Sequence, residues 1–210
     1  MDLQKIGCTM DSNRIINKKL HIIKDKSLKL AEDFNIHQQY LDSTNIFYRG
    51  LCISYSRIFK YIGDRKSVLD FGAGIGCSQF VYDINPQGWD LSLSDMVDYD
   101  WRKNEENTFF NSVRNSMGYD VIPMNNIMSD NFYLKTEDKF DCIIFFRFPP
   151  LTEYLISAKS IKEKMQPWIT DDCTFIYANS YIHYKENCDF FKLNSYTILE
   201  AEEPLVITKF

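Results

Sequence analysis

The sequence predicts an α/β protein built on an open, mostly parallel sheet of seven strands, with an antiparallel C-terminal hairpin and an N-terminal helical cap. Three observations carry that expectation. From residue 67 onward, short β-prone runs alternate with stretches of helical periodicity, which is the order of a parallel α/β sheet. The run FDCIIFF at 140–146 is almost continuously apolar, as a strand covered on both faces must be. Finally, VLDF at 68–71 passes directly into glycines at 72, 74 and 76 and then into a helix-prone segment. A strand–turn–helix of this kind lies at the carboxyl edge of the sheet, where such folds bind ligands.

The elements follow in order. Residues 13–34 place Ile16, Leu20, Ile23, Ala31 and Phe34 on one helical stripe, with Asp11 or Ser12 available as cap. A second helix is expected over 44–62, with Phe47, Leu51, Tyr55, Ile58 and Ile62 along one face and Gly63 ending it. These two helices form the expected cap, residues 1–66, and 67–210 form the main domain. Within it, VLDF is followed by the helix CSQFVYDIN, stopped before Pro86, and by the strand LSLSD. Residues 105–117 read as a helix closed by Gly118, and YDVIPMN as the third strand. After FDCIIFF come a helix over 152–166, ended by Pro167, and the strand CTFIYAN. SYTILEAE and PLVITKF make the closing hairpin.

Composition narrows the function class. The 210 residues, 24.8 kDa, suit one compact domain, and a chain this long buries roughly 70% of its unfolded surface without disulfide or metal staples. Its 24 basic and 29 acidic residues give a net charge of −5, which disfavours a duplex nucleic-acid binder, since those present a basic face. Six cysteines at 8, 52, 77, 142, 173 and 188 include no CxxC pair, so the common zinc and redox spacings are absent and no metal is expected. The longest apolar run, 142–146, is far short of the ~20 residues of a membrane helix, and the first residues lack a signal-peptide pattern. A cytoplasmic protein with reduced thiols is the expectation.

Spacing separates the readings of the glycine loop. A phosphate-cradling loop needs GxxxxGK[ST], and no such lysine follows. A dinucleotide fingerprint needs GxGxxG, and its third position here is Cys77. The carboxylate of Asp70, just ahead of the glycines, would repel a pyrophosphate but accept a hydrogen bond from an ammonium group. VLDFGAGIG resembles motif I of the class I, Rossmann-like S-adenosylmethionine-dependent methyltransferases, closely over 67–76 and in element order to the C-terminus.

The resemblance implies S-adenosyl-L-methionine as cofactor. It implies that Asp70 contacts the methionine amino group and that Gly72, Ala73, Gly74 and Gly76 line the aminoacyl and ribose portions. The acid that holds the ribose hydroxyls would be Asp95, at the end of LSLSD, with Asp90 the alternative. Asn125 or Asn126 would meet the adenine amino group, where the family commonly has an acid. At the end of the fourth strand, Phe148 precedes Pro149-Pro150 and Leu151 follows, so the polar residue and aromatic ring of the amino-methylating nucleic-acid enzymes are missing. No Pro-Cys pair offers C5-cytosine chemistry. Arg147 is the candidate for binding a carboxylate or phosphate on the acceptor, or else pairs with a nearby acid. His183 is the candidate general base, if the acceptor must lose a proton. Tyr48, Asn179 and Tyr181 are candidates for the acceptor pocket. The expected activity is O- or N-methylation of a small molecule, anionic where Arg147 binds it, beneath a lid formed by the N-terminal helices. The alternatives are a non-catalytic S-adenosylmethionine-binding sensor or partner subunit, and an aminopropyl transferase on the same scaffold.

Overall fold

A computed structural model describes residues 51–96, 111, 113–115, 117–146, 158–180, 197–202 and 205–209. The expected helix over 13–34 and the start of the one over 44–62 lie outside the described residues. The chain forms two compact units, one of Arg57–Ala73, Gly88–Val97 and Val121–Phe210, the other of Met1–Ser56, Gly74–Gln87 and Asp98–Asp120. The proposed role of residues 1–66 as a lid falls chiefly on residues outside the description.

The first unit holds a seven-stranded sheet: β1 (Ser67–Phe71), β2 (Asp90–Met96), β3 (Ile122–Met124), β4 (Phe140–Phe146), β5 (Ile169–Ser180), β6 (Thr197–Glu202) and β7 (Leu205–Lys209). Their spatial order is β3-β2-β1-β4-β5-β7-β6. The first five strands run parallel, and β7 returns antiparallel between β5 and β6. The expected mostly parallel sheet with an antiparallel C-terminal hairpin is thus observed. Strand order reverses between β1 and β4, so the carboxyl end of β1 borders the switch point where open sheets take ligands.

Alternation along the strands sorts the side chains into two faces. Leu69 and Phe71 of β1, Ile143 and Phe145 of β4 and Phe175 and Tyr177 of β5 belong to one buried cluster with Ile161 and Met165 of helix α2 (Ala158–Met165). Phe145 lies 5.0 Å from Phe71 and 6.1 Å from Phe175 between ring centroids, and the latter pair is stacked. Asp70 points to the other face, level with Leu93 of β2 and Ile144 of β4. Asp95, two residues beyond Leu93, shares that face.

β3 and β5 differ most in extent from expectation. β3 covers Ile122–Met124 only, because Pro123 carries no N–H for a ladder and suits a short edge strand. β5 starts at Ile169, where Ile169 pairs with Phe140 before a register shift that the polar Thr170-Asp171-Asp172 stretch disguises. The helix 51–58 tightens into a 3₁₀ turn, Phe59–Tyr61, and stops before Gly63 at φ +69°, as its glycine foretold. At the edge of the sheet, Glu200 of β6 takes a charged hydrogen bond from Arg57 and one from the Tyr61 hydroxyl at 2.8 Å. Among the described residues no helix is long and apolar enough to cross a membrane.

In the second unit, helix α1 (Cys77–Ile84) buries Cys77, Ser78, Phe80 and Val81. Helical residues at 113–115 and 117 end at Gly118, φ +72°. The Gly118 amide donates to Asn115 at 3.1 Å and the Tyr119 amide to Arg114 at 3.0 Å, the paired bonds of a Schellman cap.

Candidate cofactor site

Asp70 is the fourth residue of β1 and is wholly buried. Phe71 finishes the strand, and the backbone turns at once. The amides of Gly72 and Ala73 both donate to the Ser94 carbonyl at 2.9 Å, so the end of β2 fixes the start of the loop. The Ser94 hydroxyl donates in turn to the Asp70 carbonyl at 3.4 Å. Gly72, Gly74 and Gly76 have φ of +77°, +56° and +81°, the left-handed region that costs any residue with a Cβ. Gly76 is also the N-cap of α1 and supplies no side-chain cap. A Cβ built at Gly74 would meet nothing within 4 Å, which leaves the backbone there open to close approach.

Asp95 is 2% exposed near the end of β2, and its Oδ1 accepts the Met96 amide at 2.9 Å. Strand spacing and rise put its Cα about 8 Å from that of Asp70 on the same face. Two buried carboxylates so placed make a wall of acceptors, suited to an ammonium group and to hydroxyl donors. Asp90, by contrast, is exposed at the first residue of β2, level with Ser67, at the opposite edge of the sheet.

Asn125 and Asn126 leave β3 at the same carboxyl edge, since Asp95 and Met96 pair with Pro123 and Met124. The Asn125 carboxamide spans its own loop: its Nδ2 donates to the Asn131 carbonyl at 2.9 Å, and its Oδ1 accepts the Tyr133 amide at 2.8 Å. Asn126 accepts the Met128 amide at 2.9 Å and is exposed. Both side chains therefore shape the turn that carries them.

In the second unit, the buried Arg114 donates to the Gly74 carbonyl at 2.6 Å and also to the Asn111 carboxamide oxygen. The Tyr119 hydroxyl donates to Asp83 at 3.1 Å, and burial together with that neighbouring acid pushes the phenol well above its usual range. Sequence reasoning missed Arg114 and the Ser94 carbonyl. Nothing in the periodicity marks an arginine whose target is a loop carbonyl, and backbone acceptors carry no sequence signature.

Within the first unit the structure brings Asp70, Gly72, Ala73 and Asp95 together, with Asn125 and Asn126 on the adjoining strand end; Gly74 and Gly76 follow in the chain and belong to the second unit. Arg147, which follows β4 directly, and His183 lie outside the described residues, as do Tyr48 and Tyr181. Among the described residues no cluster of His, Cys, Asp and Glu could hold a metal ion.

No family model matches the chain, and no curated protein does. Solved structures do match. The PH0226 protein from Pyrococcus horikoshii OT3 aligns over 85% of this chain and 97% of its own, at 15% identity and a TM-score of 0.54. The 16S rRNA methylase ArmA aligns over 92% and 96%, at 17% identity and a TM-score of 0.49. The mitomycin 7-O-methyltransferase MmcR aligns over 86% and 59%, at 10% identity and a TM-score of 0.47. At such identities the likeness is one of fold. With the strand order above, the architecture is an open, mostly parallel Rossmann-like sheet with an antiparallel C-terminal hairpin, a fold shared with the PH0226 protein.

Proposed function

We propose that the chain is a cytoplasmic S-adenosyl-L-methionine-dependent methyltransferase that methylates oxygen or nitrogen of a small molecule. The observation that carries this reading is the pair of buried carboxylates, Asp70 and Asp95, on one sheet face at the switch point, with the left-handed glycine loop between their strands. The residues fit the cofactor. Asp70 accepts from its ammonium group, and Asp95 accepts from both ribose hydroxyls. Gly72, Ala73, Gly74 and Gly76 let the aminoacyl and ribose portions lie against bare backbone, which the open side of Gly74 supports. Asn125 or Asn126 is assigned to the adenine amino group, from the turn that their own side chains shape.

The bound cofactor supplies a methyl group already activated by its sulfonium. The protein's part is to position the acceptor in line and exclude water, with a base only where a proton must leave. Arg147 is assigned to an anionic group on the acceptor and His183 to the proton, with residues 1–66 as the lid. The net charge of −5 and the apolar residues flanking Pro149-Pro150 support a small acceptor over a nucleic acid.

Turnover over a panel of small carboxylate, phenol and sugar acceptors tests the catalytic part. Methylation of at least one, lost in Arg147→Ala or His183→Ala, is the expected result. Tight cofactor binding with no turnover across the panel would turn the reading to a sensor or partner subunit.

A further inference from the structure

Arg114 is 4% exposed, and its guanidinium holds two oxygens at once, the Gly74 carbonyl at 2.6 Å through Nη1 and the Asn111 carboxamide through Nη2. Burying a guanidinium is costly unless its hydrogen bonds are well made, so an arginine kept there has a demanding geometric task. Resting on the S-adenosylmethionine reading above, we propose that Arg114 is a positioning residue for the cofactor, which sets the Gly74–Ile75 peptide in its binding orientation.

A trans peptide directs its C=O and N–H to opposite sides. Turning the Gly74 carbonyl onto the guanidinium turns the Ile75 amide away from it. The place where a Gly74 side chain would stand is open, so the loop is held on one side and accessible on another. A glycine at φ +56° has many alternatives of similar energy, and a charge-assisted bond to its carbonyl selects one of them. Asn111 holds the second arm, which orients the guanidinium plane.

Calorimetric titration of four chains with S-adenosylmethionine and with its demethylated product tests this. The variants are Arg114→Gln, Arg114→Lys and Tyr119→Phe beside the wild type. Both ligands share the aminoacyl end, so Arg114→Gln is expected to weaken both by the same factor, about 10-fold or more. Arg114→Lys recovers part of that loss, because an ammonium restores the charge and one bond but not the fork. Tyr119→Phe lowers the urea midpoint and leaves both affinities unchanged. The inference is overturned if folded Arg114→Gln binds as the wild type does, or if Tyr119→Phe loses as much affinity. Should Arg114→Gln not fold cooperatively, Arg114→Lys decides, and an unchanged affinity overturns the proposal. A wild type that binds neither ligand overturns the cofactor reading, and this inference with it. That outcome is distinct from wild-type binding with indifferent variants.

Discussion

The carbonyl of Ser94 accepts the Gly72 amide at 2.9 Å and takes the Ala73 amide at the same distance. The end of β2 thereby dictates how the chain leaves β1, and the loop's shape is set by the sheet. Glycine is required there for its sign of φ, which is a different matter from flexibility.

That distinction gives the first prediction. Gly74 and Gly118 both have positive φ, and a Cβ at either would meet nothing within 4 Å. Gly74→Ala and Gly118→Ala should each lower stability by about 1 kcal/mol in urea unfolding, the cost of a Cβ in the left-handed region. Only Gly74→Ala should weaken S-adenosylmethionine binding. An equal loss of affinity in both would remove the special role of the loop.

The two acids of β2 make a second contrast. Asp95→Asn keeps an acceptor for the Met96 amide but loses the charge assigned to the ribose diol. Its affinity should fall about 10-fold, while Asp90→Asn, at the other edge of the sheet, should bind as the wild type does. The reverse ranking would show that the ribose acid has been misassigned.

A third prediction concerns pH. The hydrogen bond to Glu200, with burial and that acid's charge, raises Tyr61 above its ordinary value of 10, and Arg57 opposes the shift. A raised folded value means that the neutral phenol is favoured in the native state. Its stabilising contribution is complete below pH 10 and is lost as pH rises through the raised value. Urea midpoints measured from pH 8 to 11.5 should therefore fall at the alkaline end, and less steeply in Tyr61→Phe. Identical slopes in the two chains would contradict the assignment.

Thiol reactivity supplies a fourth. Burial, followed by the nearby Asp141, pushes Cys173 up to about 12, and burial raises Cys142 as well. Both should resist iodoacetamide in the native protein at pH 8 and react once unfolded in urea, by peptide mass mapping. Rapid native labelling of either would show that β4 and β5 are less enclosed than described.

How much of this was legible beforehand depended on how local each cause was. Gly63 and Gly118 ended their helices where the sequence placed the stops, because positive φ is decided by one residue. The run at 140–146 announced a central strand through its unbroken hydrophobicity, and the glycines at 72, 74 and 76 marked the turn that leaves β1. The start of β5 did not read, because Ile169 joins the sheet through a register shift that pairing alone determines. The carbonyl of Ser94 and the reach of Arg114 to Gly74 are tertiary facts, and local pattern could not contain them. The double use of the Asn125 carboxamide, closing its own loop, likewise depends on where Asn131 and Tyr133 return.

The central claim is that the Asp70 loop holds S-adenosylmethionine, and calorimetric titration of wild-type and Asp70→Ala chains tests it most directly. The account predicts saturable binding of S-adenosylmethionine and of its demethylated product by the wild type, and loss of both in an Asp70→Ala chain whose circular dichroism is native. Absence of binding by the wild type at high micromolar ligand, or wild-type affinity in folded Asp70→Ala, would contradict it.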